Sequence, residues 1–319
     1  MGPTATGKSG IALDIAGYLP VEIVSVDSAQ VYRHMDIGTA KPDARSMAAV
    51  PHHLVDLIDP HEHYSAARFT EHARIAMREI TGRGNIPLLV GGTMLYFRAL
   101  LEGLSPLPAA DGGLRTHIEE RAEANGWPAL HAELQRLDPA SAARIRPTDS
   151  QRIQRALEVC HLTGKPMSKI LDQPRHARFP YHPIRMILNP GDRHMLHRRI
   201  AQRFDRMLER GLVDEVRTIR DKFRLNDASP SMRCVGYRQV RMYLDDEVGL
   251  EAMRDMAIVA TRQLAKRQLT WLRPMKNVQT FDCLEEDLPS QVREYLRNAG
   301  LAVRFRSTFN WEEKHERWV

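Results

Sequence analysis

The stretch Gly2 to Ser9 reads G-P-T-A-T-G-K-S and decides the fold that we predict for the rest of the chain. It follows the pattern G-x-x-x-x-G-K-S/T, in which glycines let the backbone curl until successive N–H groups face one concavity that fits a phosphate. Lys8 adds a positive charge, and the Ser9 hydroxyl can coordinate Mg²⁺. Apolar residues at helical spacing follow, so we expect a helix whose positive dipole end also faces the phosphate. The sequence therefore predicts a P-loop that binds a pyrophosphate group.

The start of the chain is unusual for this motif. A P-loop normally follows a buried parallel strand, whereas only Met1 precedes Gly2 here. Either the natural protein begins upstream or the sheet lacks its middle strand of about five or six residues. We expect the first, because backbone groups next to an empty strand position would be unpaired, at roughly 1–3 kcal/mol for each buried one. A longer form that includes this strand should be more stable and more active.

Composition indicates an ordinary soluble protein. The chain has 319 residues, enough for about two domains, with 43% hydrophobic and 27% charged residues. The net charge of +6 suits an anionic partner. The longest apolar stretches are only strand-sized and no signal peptide is visible, so we expect a cytoplasmic monomer that does not contact a membrane. Its three scattered cysteines fit reduced thiols.

Asp27 follows a predicted buried strand, Val21 to Val26, and therefore lies at the sheet edge where α/β proteins bind ligands. The alternative role of Asp27 is to cap the turn that follows it; we favour a chemical role because the P-loop lies at the same edge. A second strand, Ile86 to Val90, ends in G-G-T. Nucleotide-hydrolysing P-loop proteins carry an acidic residue there, so an ATPase is disfavoured.

Four histidines, His52, His53, His61 and His63, lie in a segment bounded by prolines. They could suggest a metal site, but adjacent histidines cannot easily share one ion. We interpret them as loop residues.

The fold class that these patterns predict is α/β: a P-loop NTPase-like parallel sheet flanked by helices, with an all-helical insertion domain. The predicted limits are 1–110 for the first part of the core, 111–182 for the insertion and 183–304 for the second part of the core with its basic helices. Residues 305–319 are predicted to be a loose tail. In the insertion, an apolar helical stripe leaves Gln151, Arg152 and Arg155 free, although such a charged face is more commonly just solvated.

Basic residues recur at helical spacing in the second part of the core. A helix from Met195 to Arg210 carries a stripe of four arginines that repel each other unless an anion lies against them. The stripe consists of Arg199, Arg203, Arg206 and Arg210. A later helical run, Val248 to Arg273, carries basic residues beside Trp271. That combination is typical of a surface that binds a nucleic-acid backbone and stacks a base. A charged helix face that is merely solvated explains it about equally well.

Together these motifs resemble the bacterial tRNA dimethylallyltransferases. The resemblance covers about residues 1 to 300 and rests on motifs in the family's order: G-P-T-A-T-G-K-S, S-V-D-S-A, M-D-I-G-T-A-K-P, L-V-G-G-T-M-L-Y, R-C-V-G-Y-R-Q and T-R-Q-L-A-K-R-Q-L-T-W-L-R. It implies transfer of a dimethylallyl group from dimethylallyl diphosphate to N6 of the adenosine immediately 3′ of the anticodon, with Mg²⁺ as cofactor. The helical insertion would grip the anticodon stem-loop.

The resemblance also implies roles for individual residues. Asp27 would be the general base, assisted by Lys8 and Arg203, and Ser9 would bind Mg²⁺. The diphosphate would be held by Gly2, Thr4, Ala5, Thr6, Gly7, Lys8, Ser9 and Arg203. The tRNA would be contacted by Asp27, Ser28, Ala29, Gln30, Thr93, Arg115, Gln151, Arg152, Arg155, Arg233, Gly236, Tyr237, Arg238, Lys266, Arg267, Gln268, Trp271 and Arg273.

Two other interpretations stay open on the sequence alone. A small-molecule kinase would bind ATP at the same loop and use Asp27 as the base for a hydroxyl group. An RNA-binding P-loop module would carry out no chemistry, which would leave the position of Asp27 unexplained.

Overall fold

The computed structural model describes residues 1–173, 179–227 and 229–301. The chain divides into two compact units: the first is made of Met1–Leu100 and Tyr181–Val319, and the second of Leu101–Pro180. The tail predicted at 305–319 lies outside the described residues.

Parallel strands form the framework of the first unit. Strand β1, Val21–Val26, lies between the short strand β2, His52–His53, and strand β3, Ile86–Gly91. A separate parallel pair consists of β4, Met186–Asn189, and β5, Gln279–Asp282. The prediction of an α/β fold with parallel strands flanked by helices is confirmed.

Helices make up most of the remaining described chain. In order they are α1 Lys8–Ala16, α2 Ala44–Ala49, α3 Ala66–Gly82, α4 Met94–Glu102, α5 Gly112–Asn125, α6 Trp127–Leu137, α7 Pro139–Ala142, α8 Ser150–Thr163, α9 Met167–Leu171, α10 Arg193–Glu209, α11 Leu212–Phe223, α12 Tyr237–Leu244, α13 Leu250–Leu272 and α14 Leu288–Asn298. A 3₁₀ turn, Ser231–Arg233, precedes α12. None of the described helices is long and apolar enough to cross a membrane.

All six residues of β1 are buried, including the charged Glu22. Its carboxylate accepts hydrogen bonds from Arg83 at 2.8 and 3.0 Å and from Asn85 at 2.8 Å, and it meets His53 Nε2 at 2.6 Å. The hydrogen bonds from Arg83 have the largest effect on the pKa of Glu22. Burial raises this pKa, but the hydrogen bonds from Arg83, Asn85 and His53 together lower it to about 2. The interpretation of His52 and His53 as loop residues was therefore wrong, because both form β2 beside β1.

The residues that enter the glycine-rich loop run beside β4. The Met1 amino group donates to Met186 O at 2.8 Å, and Leu188 N donates to Met1 O at 2.9 Å. A Cβ on Gly2 would lie 2.7 Å from Leu188 O, so only glycine fits this approach. The expectation of an upstream strand stays a prediction.

Separate apolar clusters support the loop and the second unit. The apolar face of α10 packs into a large cluster, through Leu196, Ile200, Phe204 and Met207. A second cluster joins α1, β4, β5 and α14. Helices α5, α6 and α8 of the second unit share a core of their own that includes Ile118, Leu134 and Leu157.

Candidate active site

The glycine-rich loop, Gly2–Ser9, is held open by its own residues. Ala5 and Gly7 have left-handed backbones with φ of 63° and 74°, which turn successive N–H groups toward one side. Thr6 is buried and donates from Oγ1 to Pro3 O at 2.8 Å. No side chain caps the N-terminus of α1, so its first N–H groups stay available to an anion.

Lys8 and Arg203 bring two half-buried cations to this loop. Burial, reinforced by the charge of Arg203 and partly offset by Asp27, lowers the pKa of Lys8 to about 8. Burial also lowers the pKa of Arg203, and Asp27 again opposes the shift. Neither cation forms an ion pair with a described residue. Two like charges without a paired carboxylate favour an anionic ligand.

Asp27 immediately follows β1, and its two carboxylate oxygens have different surroundings. Its Oδ1 accepts hydrogen bonds from the backbone N–H of Ala29 at 2.9 Å and of Gln30 at 3.4 Å, which caps the turn. Its Oδ2 has no hydrogen bond to a described residue. One carboxylate oxygen is thus fixed by the backbone, and the other stays able to accept a proton.

Thr93 ties the end of β3 to the turn after Asp27. Its backbone N–H donates to Val26 O at 3.1 Å, and its Oγ1 accepts from Ser28 N at 3.0 Å. Gly91 permits this approach, since a Cβ there would lie only 2.0 Å from Val26 O. The structure therefore brings Ser28 and Thr93 together beside Asp27.

Gln30 is half-buried and bonded within the protein. Its Oε1 accepts from Ser25 Oγ at 2.8 Å, and its Nε2 donates to Ala40 O at 3.3 Å. Both ends of the amide are thus occupied within the protein, so this predicted tRNA contact instead links β1 to the D-I-G-T-A-K-P segment.

Glu215 on α11 is a residue that sequence reasoning missed. Its carboxylate accepts from three consecutive backbone N–H groups, Asp36, Ile37 and Gly38, at 2.9, 2.7 and 3.1 Å. It also accepts from Tyr237 Oη at 2.6 Å. Three successive amides around one carboxylate form an anion nest. The D-I-G sequence was the signal for such a nest, but no local pattern indicates that a distant glutamate fills it.

The R-C-V-G-Y-R segment divides into exposed and buried residues. Arg233 and Arg238 are exposed, as a tRNA contact requires, whereas Gly236 and Tyr237 are buried. Burial, together with the charge of Glu215, raises the pKa of Tyr237. The prediction of Gly236 and Tyr237 as surface contacts needs correction, because the tyrosine packs in the core and anchors Glu215.

Helix α13 shows the same division. Lys266, Arg267, Trp271 and Arg273 are exposed, and the Arg98 guanidinium lies 5.9 Å from the centre of the Trp271 ring. Gln268 instead points inward. Its Oε1 accepts from Thr4 N at 2.9 Å and its Nε2 donates to Gly92 O at 2.9 Å. Thr4 N is therefore not available to a phosphate, and Gln268 does not present its amide to a tRNA.

The predicted arginine stripe does not act as one group. Arg203 lies near Lys8 and Asp27, whereas Arg199 donates to Cys283 O at 3.2 Å. Arg206 and Arg210 are exposed. The four arginines therefore have different environments, because adjacent helical turns direct the guanidinium groups to different surroundings. The assignment of Arg203 to the diphosphate stays a prediction.

In the second unit, most of the predicted contacts are paired internally. Arg115 and Arg155 both bind the buried carboxylate of Glu158, and Arg155 also donates to Pro108 O. Arg152 is exposed but pairs with Asp149 at 2.5 Å, and Gln151 is exposed. Arg155 is therefore not free as the sequence pattern suggested.

Ser9 is exposed, and its hydroxyl forms no hydrogen bond with a described residue. Among the described residues, no group of three His, Cys, Asp or Glu side chains could hold a metal ion. Mg²⁺ takes one or two protein oxygens and completes its shell with water and phosphate oxygens. The Ser9 hydroxyl beside a phosphate-sized loop fits that pattern.

Comparison with known proteins is consistent with this arrangement. The family model described as IPP transferase matches residues 30–275. A tRNA dimethylallyltransferase of Nitrosospira multiformis is 66% identical over 301 residues, covering 94% of this chain and 93% of that protein. A tRNA isopentenylpyrophosphate transferase of Bacillus halodurans is similar in structure, with a TM-score of 0.68, 38% identity and coverage of 93% and 94%.

A eukaryotic dimethylallyltransferase acting on tRNA shares the fold, with a TM-score of 0.77 at 24% identity over 95% of this chain and 79% of that one. The extent of the family match and the identity to the relatives, together with the site geometry, lead to one assignment. This chain belongs to the IPP transferase family.

Proposed function

We propose that the chain transfers a dimethylallyl group from dimethylallyl diphosphate to N6 of the adenosine immediately 3′ of the anticodon of a tRNA. The observation that carries the proposal is the pair of cations Lys8 and Arg203, which form no ion pair with any described residue and lie near Asp27 at the glycine-rich loop. In the reaction the C1–O bond of the donor breaks and a bond from N6 to C1 forms. Diphosphate leaves with the electron pair, and Asp27 takes the N6 proton.

The loop binds the diphosphate through the backbone N–H groups that follow Thr4, since Thr4 N is bonded to Gln268. Lys8 and Arg203 stabilise the negative charge that develops on the leaving group. Ser9 would hold Mg²⁺, which when bound supplies further neutralisation of that charge. An allylic C–O bond ionises readily under these conditions.

Asp27 acts on the acceptor. The N6 amine of adenine is a weak nucleophile because its lone pair is delocalised into the ring, so removal of a proton as the new bond forms is needed. Oδ1 is fixed by the turn, which leaves Oδ2 to take the proton. The adenine must leave its stack in the tRNA to reach the donor.

The tRNA contacts lie on exposed residues of each unit. In the first unit they are Arg233, Arg238, Lys266, Arg267, Trp271 and Arg273. In the second unit they are Gln151 and Arg152. The cations bind phosphates, and Trp271 offers a ring for a base to stack on. We expect the enzyme to act in the cytoplasm as a monomer, and its three free cysteines fit a reducing compartment.

Membership of the family decides against the kinase and against a module without chemistry. The direct test incubates the purified protein and Mg²⁺ with labelled dimethylallyl diphosphate and an unmodified tRNA. The matched control is the same tRNA with guanosine in place of the adenosine 3′ of the anticodon. We expect label only in the first tRNA. Label in both tRNAs, or transfer from labelled ATP instead, would contradict the proposal.

A further inference from the structure

The side-chain amide of Gln268 joins two loops that meet at the active site. The N–H of Thr4 can only donate a hydrogen bond and the carbonyl of Gly92 can only accept one, so the two partners fix which way the amide points. Both contacts are 2.9 Å long.

The surroundings of Gly92 are shaped for this amide. A Cβ on Gly92 would lie 2.3 Å from Gln268 Nε2 and 3.4 Å from Gly2 O. Any side chain at this position would therefore displace the amide. Gly92, the second glycine of G-G-T, therefore leaves room for the Gln268 amide and also shapes the turn in which it lies.

The two loops carry opposite halves of the proposed reaction. Thr4 begins the curve that holds the diphosphate, and Gly92 precedes Thr93, which contacts the turn after Asp27. The neighbours of Gln268 on α13, Lys266 and Arg267, are exposed cations. Gln268 thus connects the surface that would bind tRNA to two parts of the site. These are the glycine-rich loop that would bind the donor (the donor loop) and the loop that contacts the turn after Asp27.

We propose that Gln268 is a positioning residue that sets the donor loop relative to Asp27, and that it does not contact tRNA. This inference rests on the proposed function. Methionine has a similar length and can make neither hydrogen bond, so Gln268→Met should release the loop. The loss of two neutral hydrogen bonds corresponds to an increase of roughly 10- to 100-fold in the KM for dimethylallyl diphosphate. The KM for tRNA should stay within about threefold of the wild-type value.

The experiment measures both KM values and the thermal midpoint for the wild type, Gln268→Met and the control Gln263→Met, whose glutamine is exposed on the same helix. A donor-specific defect in Gln268→Met alone supports the proposal. A rise in the KM for tRNA with an unchanged donor KM would overturn it, and so would a lowered thermal midpoint with both KM values unchanged. Loss of transfer by the wild type would contradict the proposed function itself.

A second variant keeps the test informative if Gln268→Met does not fold. Gly92→Ala leaves Gln268 in place but puts a methyl group where its amide lies. On its own it should reproduce the donor-specific defect, and a Gly92→Ala protein with an unchanged donor KM would overturn the inference. Where both single variants fold, the double variant should be no worse than the more affected single variant, because both changes break the same contact. Additive defects would overturn the inference.

Discussion

Two clusters in this protein each combine basic and acidic side chains, but only one of them pairs its charges internally. In the second unit, Glu158 is fully buried and accepts hydrogen bonds from Arg115 at 2.8 and 3.1 Å, from Arg155 at 2.5 Å and from Asp111 N at 2.8 Å. Burial opposes its ionisation, but the two arginines and the N–H of Asp111 lower its pKa overall. In the first unit, Lys8 and Arg203 lie near Asp27 without an ion pair to it.

The two clusters differ in whether their charges are already paired within the protein. A buried carboxylate that is saturated by two arginines needs no ligand and holds helices together. Lys8 donates to Pro3 O, but cations that are desolvated without a carboxylate partner are unfavourable, and an anion would relieve them. An arginine that is largely removed from solvent therefore indicates ligand binding only if no carboxylate of the protein pairs with it.

The largest effect is expected at Asp27. Asp27→Asn keeps an oxygen that can cap the turn but removes the proton acceptor, so the single-turnover rate of transfer should fall by about 10³-fold. Affinity for tRNA should change little. A rate within tenfold of the wild type would remove Asp27 as the base.

Arg203 tests the unpaired cluster directly. Arg203→Ala should lower kcat/KM for dimethylallyl diphosphate by about 10²-fold, because a charge-bearing donor to the leaving group is lost. Arg206→Ala is the matched control, since Arg206 is exposed on the next turn of the same helix. Equal losses in the two variants would show a diffuse positive field and no specific clamp.

Glu158 tests the paired cluster. Glu158→Gln leaves two arginines without their carboxylate and should destabilise the second unit by on the order of 3 kcal/mol, with an unchanged KM for dimethylallyl diphosphate. Arg152→Ala breaks an exposed pair and should cost about 0.5 kcal/mol or less. Denaturant unfolding of both variants measures the difference. A stable Glu158→Gln protein with a raised donor KM would reverse the roles assigned to the two clusters.

The smallest effect is a pH dependence from Lys8. Its pKa of about 8 means that the ammonium group is charged below pH 8 and neutral above it. Binding of the anionic donor should therefore weaken as the pH rises through 8, by about tenfold where the neutral form predominates. Lys8→Arg stays charged and should lose this dependence. An identical profile in both proteins would assign the pH dependence to another group.

The same shift has a consequence for stability. The ordinary pKa of lysine is 10.5 and the folded value lies below it. Between pH 8 and 10.5 the unfolded chain therefore binds more protons, so this group makes the folded state more stable as the pH rises. Below pH 8 the unfavourable contribution is constant.

Local patterns determined the elements whose causes are local. The G-P-T-A-T-G-K-S stretch predicted the loop and α1, and the hydrophobic run at Val21 predicted β1 with Asp27 at its end, as observed. Ser65 is a residue type that favours the N-cap position, and it accepts from Arg68 N at 3.2 Å at the start of α3. Eight elements were not predicted: α2, β2, α4, α9, α11, α12, β5 and α14. Strands β2 and β5 and helices α2 and α9 are short. Helices α11, α12 and α14 are amphipathic, so their apolar spacing was a local signal that was missed.

Only the tertiary structure decided which members of the motifs face solvent. The sequence placed Gln268, Tyr237 and Arg155 among the tRNA contacts, but each finds a polar partner from another part of its unit: Gly92, Glu215 and Pro108, respectively. A sequence motif shows which residue type is needed at a position. It does not show whether the polar atoms of that residue bind within the protein or face the solvent. That choice depends on which donors and acceptors the folded chain brings within about 3 Å, since a buried polar group must be paired.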